Sequence, residues 1–222
     1  MDWGRCIYRA AVSVGIATLL LLAAPFGASE YLRFTYQQTL ANWLAKIRRP
    51  ESVFVGDSIT ASGRAFGRFD TINLGSNGLM TFQIAATLAR AQSLNPRHIY
   101  VMAGTNDAVT GPVDAPKLRA LWRTIVADPR VTVTLPPHSR HAPLNRRIDE
   151  ISRIAMTEAC RASRRVIRLA VLDGPDGRLR PDYTIDGTHL SPSAIAVWKG
   201  RIGDPRLAER CPPATEGSTR RN

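Results

Sequence analysis

Lysine is nearly missing from this chain. Of its 30 basic residues only Lys46, Lys117 and Lys199 are lysines; the rest are arginines, scattered rather than blocked. With no basic run and no nucleic-acid-binding motif, the formal charge of +12 does not make a nucleic acid the expected partner. A compositional bias toward arginine explains it as well, with attraction to an acidic polymer or an anionic lipid as a weaker idea. Cysteine is scarce too, at three residues. Cys6 precedes a hydrophobic stretch, which leaves Cys160 and Cys211 as a candidate pair. In an oxidising compartment they could bond and in the cytosol they would stay thiols; spacing alone leaves both open. No internal repeat is present. Long apolar runs are limited to one, the uncharged stretch from Ala10 to Ser29, which at about 20 residues is long enough to span a bilayer.

Arg5 and Arg9 precede that stretch, as in a signal peptide or an uncleaved signal anchor, so residues 1–29 are read as one of these. Pro25 and Gly27-Ala28-Ser29 favour cleavage, whereas the missing Ala-x-Ala and the length of the run favour an anchor. With Arg5 and Arg9 on the inner side, either reading places the rest of the chain outside the cytoplasm, anchored or secreted (periplasmic or at the cell envelope if bacterial), with residues 10–29 as the membrane contact. Arg33, Lys46, Arg48 and Arg49 follow closely and weigh against a fixed orientation. Residues 30–50 carry Leu32, Tyr36, Leu40, Trp43, Leu44 and Ile47 at helical steps, an amphipathic connecting helix closed by Pro50. Such a helix could lie on a membrane or pack on the domain.

From Glu51 onward apolar, β-branched runs alternate with helix-like segments, over a length that suits one domain, 51–204. Strands are expected at Ser52–Gly56, Asp70–Leu74, His98–Ala103, Val131–Leu135 and Val166–Val171. Helices are expected over Met80–Leu94 with Phe82, Ala85, Ala86 and Ala89 on one face, after Pro116, around Ile148–Ala155, and from Ser191-Pro192, a capping residue followed by proline. Strands alternating with helices imply an α/β fold with a parallel sheet covered on both faces. Residues 205–222 read as a polar C-terminal tail. Trp122 and Trp198 sit at helical spacing and read as packing residues.

Four turns carry residues able to do chemistry: Gly56-Asp57-Ser58, the glycine-rich Gly75-Ser76-Asn77-Gly78, Gly104-Thr105-Asn106-Asp107, and Asp186-Gly187-Thr188-His189. In a parallel sheet, turns after strands fall on one edge and can converge. Ser58 is a nucleophile that needs a base to take its proton. His189 titrates near neutrality when unperturbed, which suits that task. Asp186, three residues earlier, can hold the other ring nitrogen. Backbone N–H groups at Ser58 and Gly75 and the Asn106 amide are candidate donors to a developing oxyanion. Gly56, Asp57, Gly104 and Asp107 are read as shaping the supporting turns. His138 and His141 show His-x-x-His spacing without a third ligand in view, so solvated histidines, or residues at the substrate mouth, are expected rather than a metal centre.

This set resembles the SGNH hydrolases, the GDSL-type esterase and lipase family, in four blocks in the family's order. They are Gly-Asp-Ser-Ile-Thr with Ser58, the turn with Gly75, Gly-Thr-Asn-Asp with Gly104 and Asn106, and Asp-Gly-Thr-His-Leu-Ser with Asp186 and His189. The resemblance covers about Ser52 to Ile202. It implies a three-layer α/β/α sandwich with a five-stranded parallel sheet, a flavodoxin-like arrangement preceded here by an N-terminal hydrophobic helix. It also implies ester hydrolysis without a cofactor, with Ser58, Gly75 and Asn106 as the oxyanion hole. Short stretches between the blocks leave little for a lid or an acyl tunnel. The expected substrate is therefore a small acyl ester or an acylated glycan. An acyltransferase using the same residues, or an envelope-binding module without activity, are the rival readings. The sequence says nothing of oligomeric state.

Overall fold

Side chains alternate along each strand, and that alternation decides what packs on either face of the sheet. The computed structural model describes residues 49–63, 71–204, 206 and 211. Within them, β1 (Ser52–Gly56), β2 (Thr71–Asn73), β3 (His98–Met102), β4 (Val131–Thr134) and β5 (Arg165–Ile167) form one parallel sheet in the order β2-β1-β3-β4-β5. Val53 and Val55 of β1, Ile99 and Val101 of β3, Val131 and Val133 of β4 and Val166 of β5 enter one core. Phe54, Tyr100, Met102 and Ile167, their immediate neighbours, enter the other. This is the period of two that a sheet covered on both faces requires.

Among the described residues the helices are α1 (Ser58–Ser62), α2 (Thr81–Ser93), α3 (Thr105–Thr110), α4 (Ala115–Val126), α5 (Ala142–Arg161) and α6 (Pro192–Gly203). α2, α4 and α5 supply Ile84, Leu88, Trp122, Ile125, Ile148 and Ile151 to the first core. α6 covers the opposite face with Ala194, Ile195 and Trp198. The result is an α/β/α sandwich. Trp122 and Trp198 are both fully buried packing residues. Asp114 accepts from Lys117 N at 3.1 Å to cap α4, and Ser191 Oγ caps α6 ahead of Pro192.

Parallel strands with returning helices bring the helix carboxyl ends to the amino edge of the sheet, where their last carbonyls lack partners. Arginines supply donors there. Arg49 Nε donates to Asn95 O at 2.7 Å just past α2, and Arg164 Nε to Val126 O at 2.9 Å at the end of α4. Arg165 donates to Ile202 O at 3.1 Å, Arg201 O at 2.7 Å and Asp204 O at 3.0 Å around the end of α6. Part of the positive charge is thus committed to the fold itself.

Several expectations change. α2 buries Thr81, Ile84, Leu88 and Ala91, not the Phe82 face, and Phe82 is 46% exposed. The buried face removes two large aliphatic side chains, Ile84 and Leu88, from water, where the expected face offers one large side chain, Phe82, beside three alanines, and this favours the observed helix rotation. β5 stops at Ile167, and Ala170–Leu172 forms a 3-10 turn that sends Leu169 and Leu172 into the second core. Of the Gly104–Asp107 turn, Gly104 takes the N-cap position and Thr105, Asn106 and Asp107 are the first residues of α3. Cys160 and Cys211, left open as a pair by their spacing, are disulfide-bonded with Cα atoms 5.4 Å apart, which ties Cys211 to α5; of the stretch 205–222 only Arg206 and Cys211 lie among the described residues. The anchor or signal reading of 1–29 and the helix read over 30–48 lie outside the described residues; Arg49 and Pro50, at its predicted end, are not helical. Among the described residues no helix is long and apolar enough to cross a membrane.

Candidate active site

The strand order reverses at β1, and the loops leaving the carboxyl ends of β1 and β3 there form the crevice that open α/β sheets use for ligands. β1 ends at Gly56, where an added Cβ would lie 2.8 Å from Met102 O of the neighbouring strand. Asp57 then caps α1, its Oδ1 accepting from Ile59 N at 2.9 Å, which sets Ser58 at the first position of the helix. Asp57 is fully buried. Burial raises its pKa to about 6, against the pull of the Ile59 N–H, the Thr105 hydroxyl, the Thr60 N–H and the charge of His189.

The second half of the site is a turn between Thr184 and Leu190, which close an antiparallel bridge. Asp186 Oδ1 accepts from Thr188 N at 2.9 Å and His189 N at 2.8 Å, while Oδ2 lies 2.6 Å from His189 Nδ1. Partial burial of the Asp186 carboxyl opposes ionisation, but the His189 and Thr188 N–H groups and the imidazole outweigh it and hold the pKa at about 2. An ionised carboxylate can only accept, so His189 Nδ1 carries a proton, and in the neutral ring Nε2 keeps its lone pair. Nε2 is 2.9 Å from Ser58 Oγ. The hydroxyl therefore donates to the ring, the geometry in which a base can take its proton. Side chains of His189 and Asp186 are 33% and 50% exposed, so the site is open to solvent.

The structure brings Ser58, Asp186, His189 and Asn106 to this edge, but it revises the part of Gly75. The Gly75 N–H donates to Asn73 Oδ1 at 2.8 Å and is not free for a substrate oxygen. Glycine is needed there for space: a Cβ would sit 2.5 Å from Ala61 N and 2.9 Å from Thr60 C, against the backbone of α1. Asn73 completes the contact by donating from Nδ2 to Thr60 O at 2.7 Å. Three residues on, Gly78 has φ +74° and open space at its Cα, and its N–H has no partner among the described residues. Asn106 Nδ2 donates to Leu79 O at 3.0 Å, which holds the Gly78–Leu79 turn beside the Asn106 amide and leaves the second Nδ2 hydrogen available. The Asn73-x-Gly75 spacing was the sequence signal: an asparagine two residues ahead of an N–H consumes it in an Asx turn.

Gly104 has φ +124°, and a Cβ there would fall 2.6 Å from Ile151 Cγ2, so only glycine admits this approach of α3 to α5. Asp107 accepts from both Thr81 N and Thr81 Oγ1 at 2.9 Å, capping α2 from outside. His138 is not a solvated histidine. Its Nε2 is 2.9 Å from Asp149 Oδ1 and its Nδ1 3.0 Å from Asp173 Oδ2, with the ring 22% exposed. Asp173 first, then Asp149, raises its pKa to about 9 against the opposing effect of burial. His141 precedes α5 at the N-cap position. Among the described residues no group of three or more His, Cys, Asp or Glu side chains is arranged to hold a metal ion. Sequence reading missed the parts of Asn73, Ser139, Asn145 and Thr184, each of which holds a backbone group in place, and did not separate Gly78, with its open N–H, from Gly75.

Residues 54–195 match the model of the GDSL-like lipase/acylhydrolase family. Among solved structures, a GDSL-like lipase from Bacteroides thetaiotaomicron superposes with a TM-score of 0.64 at 19% identity, covering 77% of this chain and 96% of that one. A lipase/acylhydrolase from Enterococcus faecalis does so with a TM-score of 0.57 at 19% identity, covering 72% and 97%. An acetyl xylan esterase from Geobacillus stearothermophilus gives a TM-score of 0.55 at 18% identity, covering 66% and 89%. No curated protein sequence matches the chain.

Proposed function

Because the chain belongs to the GDSL-like lipase/acylhydrolase family and is an ester hydrolase, we propose that it is a serine esterase removing a small acyl group through an acyl-enzyme. The observation that carries this reading is the 2.9 Å contact between Ser58 Oγ and His189 Nε2. Ser58 Oγ attacks the ester carbonyl while its proton passes to His189 Nε2. Asp186, ionised above about pH 2, accepts from Nδ1 and stabilises the imidazolium. The tetrahedral oxyanion is received by the N–H groups of Ser58 and Gly78 and the second amide hydrogen of Asn106. His189 returns its proton to the leaving alcohol; water, activated by the same ring, then releases the acid and restores Ser58.

The exposed site and the absence of a lid among the described residues favour a small acyl group on a bulky alcohol, such as an O-acetylated envelope glycan. The likeness in fold to an acetyl xylan esterase is in keeping with that class. The Cys160–Cys211 disulfide supports an extracytoplasmic location, with residues 10–29 as tether or signal. The test is acetate release by the full-length chain from acetylated glycans and short-chain esters, beside Ser58→Ala. Release by the native chain alone is expected, and activity confined to long-chain lipids overturns the substrate class. Adding an unacetylated glycan separates hydrolysis from transfer, since a transferase would label the glycan instead of freeing acetate.

A further inference from the structure

The turn carrying Asp186 and His189 is closed mostly upon itself. Thr184 Oγ1 donates to His189 O at 2.8 Å and accepts from Gly187 N at 2.8 Å, and Ile185 N donates to His189 O at 3.0 Å. Such a turn keeps its own shape, but it can shift as a unit relative to Ser58, which sits on α1. Among the described residues its ties to the body are few. Apart from the His189–Ser58 contact, those between residues 185 and 189 converge on one place: Gly187 O accepts from Arg140 N at 2.8 Å and from Ser139 Oγ at 2.9 Å, with Thr188 Oγ1 3.3 Å from the same hydroxyl.

Ser139 is itself clamped. Its N–H donates to Asn145 Oδ1 at 2.7 Å, its carbonyl accepts from Asn145 Nδ2 at 2.9 Å, and its Oγ accepts from His141 N at 3.1 Å. Ser139 is 1% and Asn145 8% exposed, so these bonds are shielded from water. Asn145 belongs to the first turns of α5, which packs into the first core through Ile148 and Ile151. A rigid line therefore runs from that helix through Asn145 and Ser139 to Gly187, and from there to the imidazole.

We propose that Ser139, locked by Asn145, is the positioning residue that fixes the reach of His189 to Ser58. This rests on the esterase reading above. Ser139 touches neither substrate nor reacting atoms; it acts through Gly187, where an error of about 1 Å can cost on the order of 100-fold in rate. Arg140 N still holds Gly187 when the hydroxyl is lost, so the turn loosens rather than detaches.

The experiment compares the full-length chain with Ser139→Ala and Asn145→Asp by kcat and KM on a short-chain ester, by fluorophosphonate labelling rate at Ser58, and by nitrogen NMR of the His189 ring. The expected result for Ser139→Ala is a fall of roughly 10- to 100-fold in kcat and in labelling rate, with KM within about twofold. The Nε2 resonance should also lose its shift due to the Ser58 hydrogen bond. A general loosening of the fold would instead move KM and the thermal midpoint together. Should Ser139→Ala fail to fold, Asn145→Asp keeps the acceptor for Ser139 N but loses the donor to Ser139 O, and should show a smaller fall of the same kind. Wild-type kcat in a folded variant, or an unchanged Nε2 resonance, overturns the proposal. A native chain that Ser58 probes do not label would instead overturn the esterase reading, and the NMR comparison separates the two failures.

Discussion

Raising the pH through the titration of His138 should destabilise this protein by a predictable amount. His138 sits between Asp173 and Asp149, at 3.0 and 2.9 Å, with both ring nitrogens facing carboxylates. That geometry suits the doubly protonated ring, and the pKa rises from 6.5 to about 9. The unfolded chain lets go of this proton near 6.5, so the stabilisation is complete below that value, declines above it and is gone beyond about pH 9. At about 1.4 kcal/mol per tenfold change in proton affinity, the ceiling is roughly 3 kcal/mol. Asp149 is 57% exposed, so solvent screens its share, and about 1–3 kcal/mol is the working range. Urea unfolding of the native chain and His138→Gln at about pH 6 and about pH 9.5 measures this, because other titrations cancel in the difference. The gap between the two proteins should narrow by about 1–3 kcal/mol at the higher pH, with unchanged m-values. A gap that stays constant, or widens, refutes the argument.

Asn106→Ala should lower kcat by about 100- to 1000-fold on a short-chain ester, the usual cost of one oxyanion donor. Gly75→Ala should instead lower the thermal midpoint, since its Cβ would meet the backbone at Ala61 N, 2.5 Å away. Cys211→Ser opens a bridge with a sequence separation of 51, for which chain entropy sets a ceiling of roughly 4 kcal/mol in a denaturation experiment. Asp57→Asn keeps an N-cap oxygen while removing a buried carboxyl whose pKa is raised to about 6 from 3.8. Ionising that carboxyl in the fold costs up to about 3 kcal/mol. The variant should therefore be more stable than the native chain above pH 6 and lose that advantage below about pH 4.

What the sequence made legible was local. The Val53-Phe54-Val55 run, with its side chains alternating between two cores, announces a strand covered on both faces, and Ser191-Pro192 announces a helix start. Ser58, Asp186 and His189 could be singled out because a parallel sheet gathers its turns on one edge. Gly75 and Gly78 show where such reading stops: both are turn glycines, and only the Asn73 side chain, folded back on the Gly75 N–H, distinguishes the occupied donor from the open one. The same holds for His138, whose two carboxylates lie 11 and 35 residues further along the chain. The arginines follow this rule too. Their scatter in sequence looks like bias, but parallel topology brings the ends of the returning helices α2, α4 and α6 to one edge, where Arg49, Arg164 and Arg165 each meet a carbonyl from a distant segment. Catalytic chemistry is thus written in short motifs because each turn must shape its own backbone. The alignment of one turn with another is written in single residues, such as Ser139 and Asn73, whose meaning exists only once the chain has folded.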